Sequence, residues 1–452
     1  MAEPAGMELD PPRAVRRIAR RLEDAGFSTW AVGGAVRDRL AARPTGDWDL
    51  ATRATPDEVT KLFRRTVPVG VDHGTVGVLD EGRMYEVTTF RRDVETFGRH
   101  AVVSYADTVE EDLSRRDFTI NALAWHPLTG ELLDPFGGRK DLEEGRLRTV
   151  GTPADRFAED YLRVLRALRF AGHFGLAVEG STWAALRGAV SHLGELSSER
   201  VREELVKTLT QARVASPSLD LYRDAGVLDV LYPELSALPG ERPDKGAPDL
   251  WTLSVRAVDA IPPHRVQLRL AALFHAIGMP PARTRDLRGG WRYTGHEVLG
   301  GRKAEDLMRR LKSSNADTDR VTRLVRHQPD LFPPDAPDAG IRRWLRHVGP
   351  DLVRDLFRLR FALWRARHPE APAPPEDLLE RWQKVRRVLH ARPALATTDL
   401  AIGGTDLKAI GLPPGPRYGQ ILADLLERVT DDPALNRREP LLEVVRREWT
   451  DE

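Results

Sequence analysis

Two aspartates, Asp47 and Asp49, flank a tryptophan in "GDWDLAT", residues 46–52. In an extended chain residues i and i+2 project to the same side, so the two carboxylates point together while Trp48 packs on the other side. Like charges held that close repel, and one pKa rises unless a cation sits between them. Mg2+ favours one or two protein carboxylates with phosphate oxygens around it, so the pair suits nucleotide chemistry. Taken alone, such a pair is more often two solvated surface acids. Its meaning depends on its neighbours.

Upstream, "GGAVRD", Gly33 to Asp38, stands at an expected strand-to-helix junction. Glycines there let backbone N–H groups approach an anion, and the helix start adds partial positive charge. A phosphate fits, with Arg37 one turn along to contact it; a tight turn that needs only backbone freedom explains the same residues. Downstream, "YEVTTFRR" holds a third acid, Glu86. As an edge-strand acid facing water it would need no function.

The elements that must position these groups follow from pattern. Val15, Ile18, Leu22 and Phe27 predict a helix over residues 11–26, which leads into a strand at "STWAVGG". "AVRDRLAAR" predicts a second helix before the strand that holds Asp47 and Asp49. Thr55 as N-cap and Pro56 in the first turn start a third helix, and strands are expected at 74–79 and 83–90. The first 150 residues thus mix strands and helices around one sheet. From about Pro153 apolar residues recur every three or four positions and the chain reads as helical, punctuated by clusters such as "HPEAPAPPED".

With 452 residues the chain exceeds the usual size of one domain, so several packed units are expected. A hydrophobic fraction of 41%, a charged fraction of 30% and the lack of any long apolar run exclude a transmembrane span. The N-terminus has no secretory pattern, so the expected compartment is the cytoplasm. Without cysteine, only oxygen and histidine ligands remain for a metal. A net charge of +1 does not announce nucleic-acid binding, although the basic residues are mostly arginines, which suit bidentate phosphate contacts.

At "RRDFTINALAW", residues 115–125, the combination stops being generic. With "GGAVRD", "GDWDLAT", "EVTTFR", "LDPFGGRKDL" (133–142) and "EDYLRVLRALRFA" (159–171), in this order, the chain strongly resembles the bacterial class II tRNA nucleotidyltransferase and poly(A) polymerase family. Weaker similarity continues through "SSERVREELVKTL" (197–209) to about residue 448. The resemblance implies an α+β fold: a polymerase-β-like nucleotidyltransferase head over 1–150, then an all-α neck over 151–212, a body over 213–335 and a tRNA-binding tail over 336–452.

It also implies roles. Asp47 and Asp49 would hold two catalytic Mg2+ ions, with Glu86 as third carboxylate, activating the RNA 3′-hydroxyl for attack on the α-phosphate of a nucleoside triphosphate. Two metals roughly 4 Å apart stabilise the attacking oxygen and the leaving pyrophosphate together. Gly33, Gly34 and Arg37 would lie along the triphosphate. Arg116 and Asp117 would meet phosphate and ribose, supported by Asn121.

In "EDYLRVLRALRFA", Leu162, Leu165, Leu168 and Phe170 form an expected buried stripe, with Asp160 and Arg163 one turn apart on another face. A carboxylate and a guanidinium offer acceptors and fork donors, enough to mimic the edge of a pairing base. Elsewhere an i,i+3 surface ion pair is the commoner meaning of such residues. The resemblance makes Asp160 and Arg163 the template that selects cytosine or adenine, with Glu159 orienting it. Arg166 and Arg169 would reach phosphates or brace the template. Residues 91–108 read as a polar, mobile loop. The resemblance implies that such a loop, here with Arg92, Asp93, Arg99 and His100, goes with an enzyme able to add A.

One departure stands in the body, where many relatives carry a histidine-aspartate phosphohydrolase signature. Here His275 is followed by Ala276, which cannot ligate a metal. His275, His296 and His327 lack a bridging carboxylate in the sequence pattern, so packing or surface roles are expected and no phosphohydrolase activity. The expected function is CCA addition to tRNA from CTP and ATP. A-only addition or poly(A) synthesis shares the head motifs and stands second; a non-catalytic RNA-binding relative stands third. A monomer or weak homodimer without membrane contact is expected.

Overall fold

The computed structural model describes residues 9–70, 74–97, 100–285 and 290–449. The chain divides into two compact units, Met1–Ser236 and Ala237–Glu452.

The first unit opens with α1 (Arg13–Asp24), whose Val15, Ile18 and Leu22 recur at helical spacing and are buried. β1 (Thr29–Val32), α2 (Gly34–Leu40), β2 (Asp49–Thr52), α3 (Pro56–Leu62), β3 (Thr66–Gly70), β4 (Thr75–Asp80) and β5 (Arg83–Thr89) follow. α3 begins as its residues predict, with Thr55 and Glu58 capping reciprocally and Pro56 in the first turn. Next come β6 (Arg91–Phe97), β7 (His100–Tyr105), α4 (Val109–Ser114), β8 (Ala124–Trp125), β9 (Leu132–Leu133), α5 (Gly138–Glu143) and β10 (Arg146–Leu147).

The main sheet has seven strands in the order β3-β4-β5-β2-β1-β8-β9. Its neighbours run antiparallel except β2 and β5, which are parallel. Alternation sends Leu50, Tyr85 and Val87 to one face, where they pack with Val15, Ile18 and Leu22 of α1 and Val59 of α3. Trp30, Val32 and Ala51 take the other face, with Val109 and Leu113 of α4. Asp49 and Glu86 fall by the same alternation on the α4 side.

The helical remainder of this unit comprises α6 (Pro153–Glu159), α7 (Leu162–Phe174), α8 (Gly180–Ala189), α9 (Ser198–Thr210), α10 (Ser216–Ala225), α11 (Val227–Leu231) and α12 (Pro233–Ser236). Between α7 and α8, β11 (Ala177–Val178) pairs in parallel with β10.

Among its described residues the second unit is helical apart from a two-residue pairing of β12 (Thr284–Arg285) with β13 (Trp291–Arg292). Its helices are α13 (Leu250–Asp259), α14 (Val266–Phe274), α15 (Met279–Ala282), α16 (His296–Arg310), α17 (Asn315–His327), α18 (Asp338–Val348), α19 (Val353–Arg367), α20 (Glu376–His390), α21 (Gly404–Ala409), α22 (Arg417–Asp431) and α23 (Arg438–Trp449). Leu407, Ile421, Leu425, Leu441 and Leu442 close a core among the last three. Among the described residues no helix is long and apolar enough to cross a membrane.

Four expectations need correction. Where a loop is expected, β6 and β7 pair antiparallel, with Arg92 opposite Ser104 and hydrogen-bonded to it at 2.9 Å. Arg99 and the side chains of Asp93 and His100 lie outside the described residues. The stretch 159–171 is not one helix: α6 ends at Glu159, Asp160 is extended (φ −158°, ψ 105°), and α7 starts at Leu162. Leu162 is consequently only half-buried, while Leu165, Leu168 and Phe170 are buried. Glu86 is no edge-strand acid, because β5 lies between β4 and β2.

Candidate active site

Strand register builds the acidic side. Val32 stands opposite Asp49, so the Gly33–Gly34 turn that ends β1 opens beside the first residue of β2. Parallel pairing matches Leu50 with Val87, which sets Asp49 and Glu86, one step earlier on each strand, side by side. Asp47 precedes the strand and is exposed, and Trp48 turns inward, buried with its ring 6.1 Å from that of Trp125. The Asp49 carboxyl is pushed up to about 6, by desolvation first and then by the charge of Glu86; Arg116 opposes the shift and Asp47 adds to it. Asp49 and Glu86 are oxygen ligands of the kind a hard divalent cation takes, although with Asp47 they do not form a cluster of three whose ligand atoms all lie within 4.8 Å of one another.

Of the residues to which the resemblance gives metal-, phosphate- or base-binding roles, all but Asp47 and Glu159 line one cavity of about 750 Å3 within the first unit. Gly33 has φ +71°, and a Cβ there would fall 2.7 Å from Nη1 of Arg116. The glycine therefore serves both the turn and the close passage of this guanidinium. Arg116 is anchored in turn by the Asp112 carboxylate at 3.1 Å and by the Asn121 carbonyl at 3.2 Å.

Arg37 is buried and does not stand free for a phosphate. It donates to Asp38 at 2.9 Å and to the Asn121 side chain at 2.5 Å, with its guanidinium 4.4 Å from the Phe174 ring centroid. Asn121 donates to Asp117 at 2.9 Å, and Arg166 donates to the other Asp117 oxygen at 2.8 Å. Burial alone would raise the Asp117 pKa, but Arg166 and the hydrogen bonds hold it below the usual carboxylate range. Arg169 is buried with Glu204 at 2.8 Å and Gln211 at 2.8 Å. Of the two roles open to Arg166 and Arg169, these contacts favour bracing.

Across the α6–α7 break, Glu159 accepts from Arg156 at 2.9 Å and also from Arg163. Arg163 donates further to the carbonyls of Arg156 at 2.9 Å and Arg115 at 3.3 Å. Asp160 accepts from the Leu162 N–H at 3.1 Å and from Arg200 at 2.6 Å.

Asp112, Arg115, Arg200, Lys207 and Gln211 also line the cavity, and sequence reasoning gave none of them a role. The signal for two was present, since Arg200 and Lys207 sit in "SSERVREELVKTL".

In the second unit His275 is buried with Nδ1 2.8 Å from the Ala272 carbonyl, and desolvation pushes it down to about 4, so it stays neutral near pH 7. His327 does meet a carboxylate: its Nδ1 lies 2.8 Å from Asp330, which is also 3.5 Å from His347. These three are near enough to share an ion. The charge of the same carboxylate also acts on the Arg360 guanidinium, against the burial that lowers its pKa. A separate groove of about 940 Å3 between α19 and α20 is lined by Arg354, Arg358, Arg386, Arg387 and Arg392 with Trp382 and Phe361.

Comparison with known proteins places this arrangement. The family models for the poly(A) polymerase head domain, the probable RNA and SrmB-binding site of polymerase A, and tRNA nucleotidyltransferase domain 2 match residues 29–148, 175–238 and 291–445. The CCA-adding enzyme of Latilactobacillus sakei is 33% identical over 437 residues, 95% of this chain and 96% of that one. The chain belongs to the CCA-adding enzyme family. A second CCA-adding enzyme, from Lactiplantibacillus plantarum, is 32% identical over 96% of both chains. The CCA-adding enzyme of Bacillus stearothermophilus, solved in complex with CTP, superposes with a TM-score of 0.73 at 29% identity, covering 97% of this chain and 98% of that one. The fold is therefore that of the CCA-adding enzymes, a nucleotidyltransferase head followed by helical domains, and this chain is a nucleotidyltransferase.

Proposed function

We propose that this protein adds C, C and A to the 3′ end of tRNA from CTP and ATP, without a nucleic-acid template. One observation carries the reading: a single cavity holds both the Asp49–Glu86 carboxylates and the donor-acceptor edge of Asp160 and Arg163. Chemistry and base choice thus share one wall-to-wall site.

Divalent-metal use goes with this family, and Asp49 and Glu86 offer the oxygen ligands that Mg2+ takes. Asp47 and Asp49 would hold the ions, with Glu86 beside Asp49. When bound, they supply positive charge at the attacking and leaving oxygens. The RNA 3′-oxygen forms a bond to the α-phosphorus while the bond to the pyrophosphate oxygen breaks. Gly33 and Gly34 give the triphosphate room next to Arg116. Asp117, Asn121 and Arg37 form the buried brace beneath it, tied to the helical wall through Arg166. Asp160 accepts from the exocyclic amino group shared by cytosine and adenine, and Arg163 donates to their ring acceptors.

The proposed divisions are the head (1–150), neck (151–212), body (213–335) and tRNA-binding tail (336–452). We assign the arginine groove between α19 and α20 to the tRNA backbone. Arg354, Arg386 and Arg392 there are exposed and without a carboxylate partner among the described residues, which suits phosphate contacts. A cytoplasmic monomer or weak homodimer, with no phosphohydrolase activity, completes the reading.

The test supplies purified protein, Mg2+, CTP and ATP to tRNA transcripts ending before CCA, after C or after CC, and resolves products by length. Addition of C, C and A that then stops is expected. A on the CC transcript alone would mean an A-adding enzyme, a long A ladder on many RNAs a poly(A) polymerase, and no extension would sink the reading.

A further inference from the structure

We propose that Arg200 is a positioning residue for base selection: it holds the Asp160 carboxylate apart from Arg163, so that the two present an open edge to the nucleotide. The inference rests on the reading of Asp160 and Arg163 as the base-selecting pair.

Opposite charges this near in the chain attract one another. Closed onto one another, Asp160 and Arg163 would satisfy their own donors and acceptors and leave no edge to read. The structure keeps them separate by giving each a different partner. Arg163 is pinned by Glu159 and by the carbonyls of Arg156 and Arg115. Asp160 is pinned by its own extended backbone, by the Leu162 N–H at 3.1 Å on one oxygen, and by Nη2 of Arg200 at 2.6 Å on the other. Arg200 comes from α9, forty residues along the chain, and faces the same cavity.

A carboxylate has about four lone-pair sites, so two hydrogen bonds still leave acceptors for an amino group. Cytosine and adenine bring that amino group. Uracil and guanine bring a carbonyl oxygen to the same place, which a fixed carboxylate repels. Such rejection works only while the carboxylate cannot turn aside. Freed from Arg200, Asp160 can swing onto Arg163, and both acceptance and rejection weaken together. A phosphate contact by Arg200 would have a different signature, since every nucleotide carries the same phosphates.

The experiment compares full-length wild type with Arg200→Met and Arg200→Lys, measuring kcat and KM for CTP, ATP, UTP and GTP on tRNA lacking CCA. For Arg200→Met the kcat/KM ratio of CTP over UTP is expected to fall at least tenfold, with UTP use held or raised, and Arg200→Lys restores part of the ratio. In an Asp160→Ala background Arg200→Met should no longer change that ratio. An equal loss for all four nucleotides, or an unchanged ratio, overturns the proposal. Should the methionine variant not fold, Arg200→Gln, neutral but still polar, carries the comparison and must lower the ratio in the same way. Equilibrium binding of CTP against UTP without RNA is read in parallel. If wild type fails to build C, C and A, that failure falls on the proposed function, while the binding ratio still judges Arg200.

Discussion

Val32 and Asp49 face each other across β1 and β2, and this one pairing brings the glycine turn to the acidic pair. Substituting either Asp47→Asn or Asp49→Asn should reduce nucleotide incorporation by roughly 100-fold or more, the scale on which lost transition-state stabilisation shows. Retention of tRNA in a gel-shift assay checks that the loss is chemical. Loss of RNA binding in both variants would contradict it.

The raised pKa of Asp49 sets a pH dependence with a definite sign. Desolvation and the neighbouring Glu86 charge push its carboxyl up to about 6 from an ordinary 3.8, so between these values the folded state is expected to hold more protons. Stability without metal therefore falls as pH rises through that window, and Asp49→Asn removes the fall. Metal competes with the proton, so activity at limiting Mg2+ should rise through pH 6 and its midpoint should move lower as Mg2+ increases. Thermal unfolding and initial rates from pH 4.5 to 8 check both.

Arg169 and Glu204 form a buried pair at 2.8 Å, assisted by Lys207 at 3.2 Å. Arg169→Ala leaves a buried carboxylate short of its main partner, a loss on the order of 3–5 kcal/mol. Adding Glu204→Gln should recover much of it. Urea unfolding of the two single variants and the double variant measures the coupling; strict additivity would show the pair to be incidental.

Gly33→Ala meets two penalties at once, a backbone at φ +71° and a contact 2.7 Å from Arg116. The backbone strain alone is worth about 1–3 kcal/mol. A drop in Tm of a few degrees is expected, with a larger loss of nucleotide affinity because Arg116 must move. Parallel calorimetry and CTP binding would expose a purely structural role if both fell in proportion.

Reversing charge in the α19–α20 groove, Arg354→Glu with Arg386→Glu, should weaken tRNA binding and lower the slope of log affinity against log salt by roughly one unit per lost phosphate contact. CTP binding without RNA should be unaffected. An unchanged salt slope would remove this groove from the RNA path.

Much of the site was legible in the residues themselves. Asp47, Trp48 and Asp49 declare two directions by alternation alone, and the burial of Trp48 against Trp125 bears that out. The capping pair of Thr55 and Glu58, the buried Val15, Ile18 and Leu22, and the strands around Val76 and Val87 follow equally from local pattern, because capping and periodicity act over a few residues.

What local pattern could not decide was how distant segments meet. Glu86 is a water-facing acid or a partner of Asp49 according to which strand lies next to β5, and only the parallel pairing with β2 settles it. Asp160 and Arg163 look like an i,i+3 pair on one helix until the break at Asp160 and the reach of Arg200 from α9 give them separate partners. Arg37, Arg166 and Arg169 look like free phosphate ligands until burial supplies Asn121, Asp117 and Glu204. The sequence by itself determined which chemical groups exist and their local directions, since these depend on near neighbours. The tertiary structure alone decided which charges neutralise one another and which remain to face a substrate, because Coulomb and hydrogen-bond partners are chosen by distance in space.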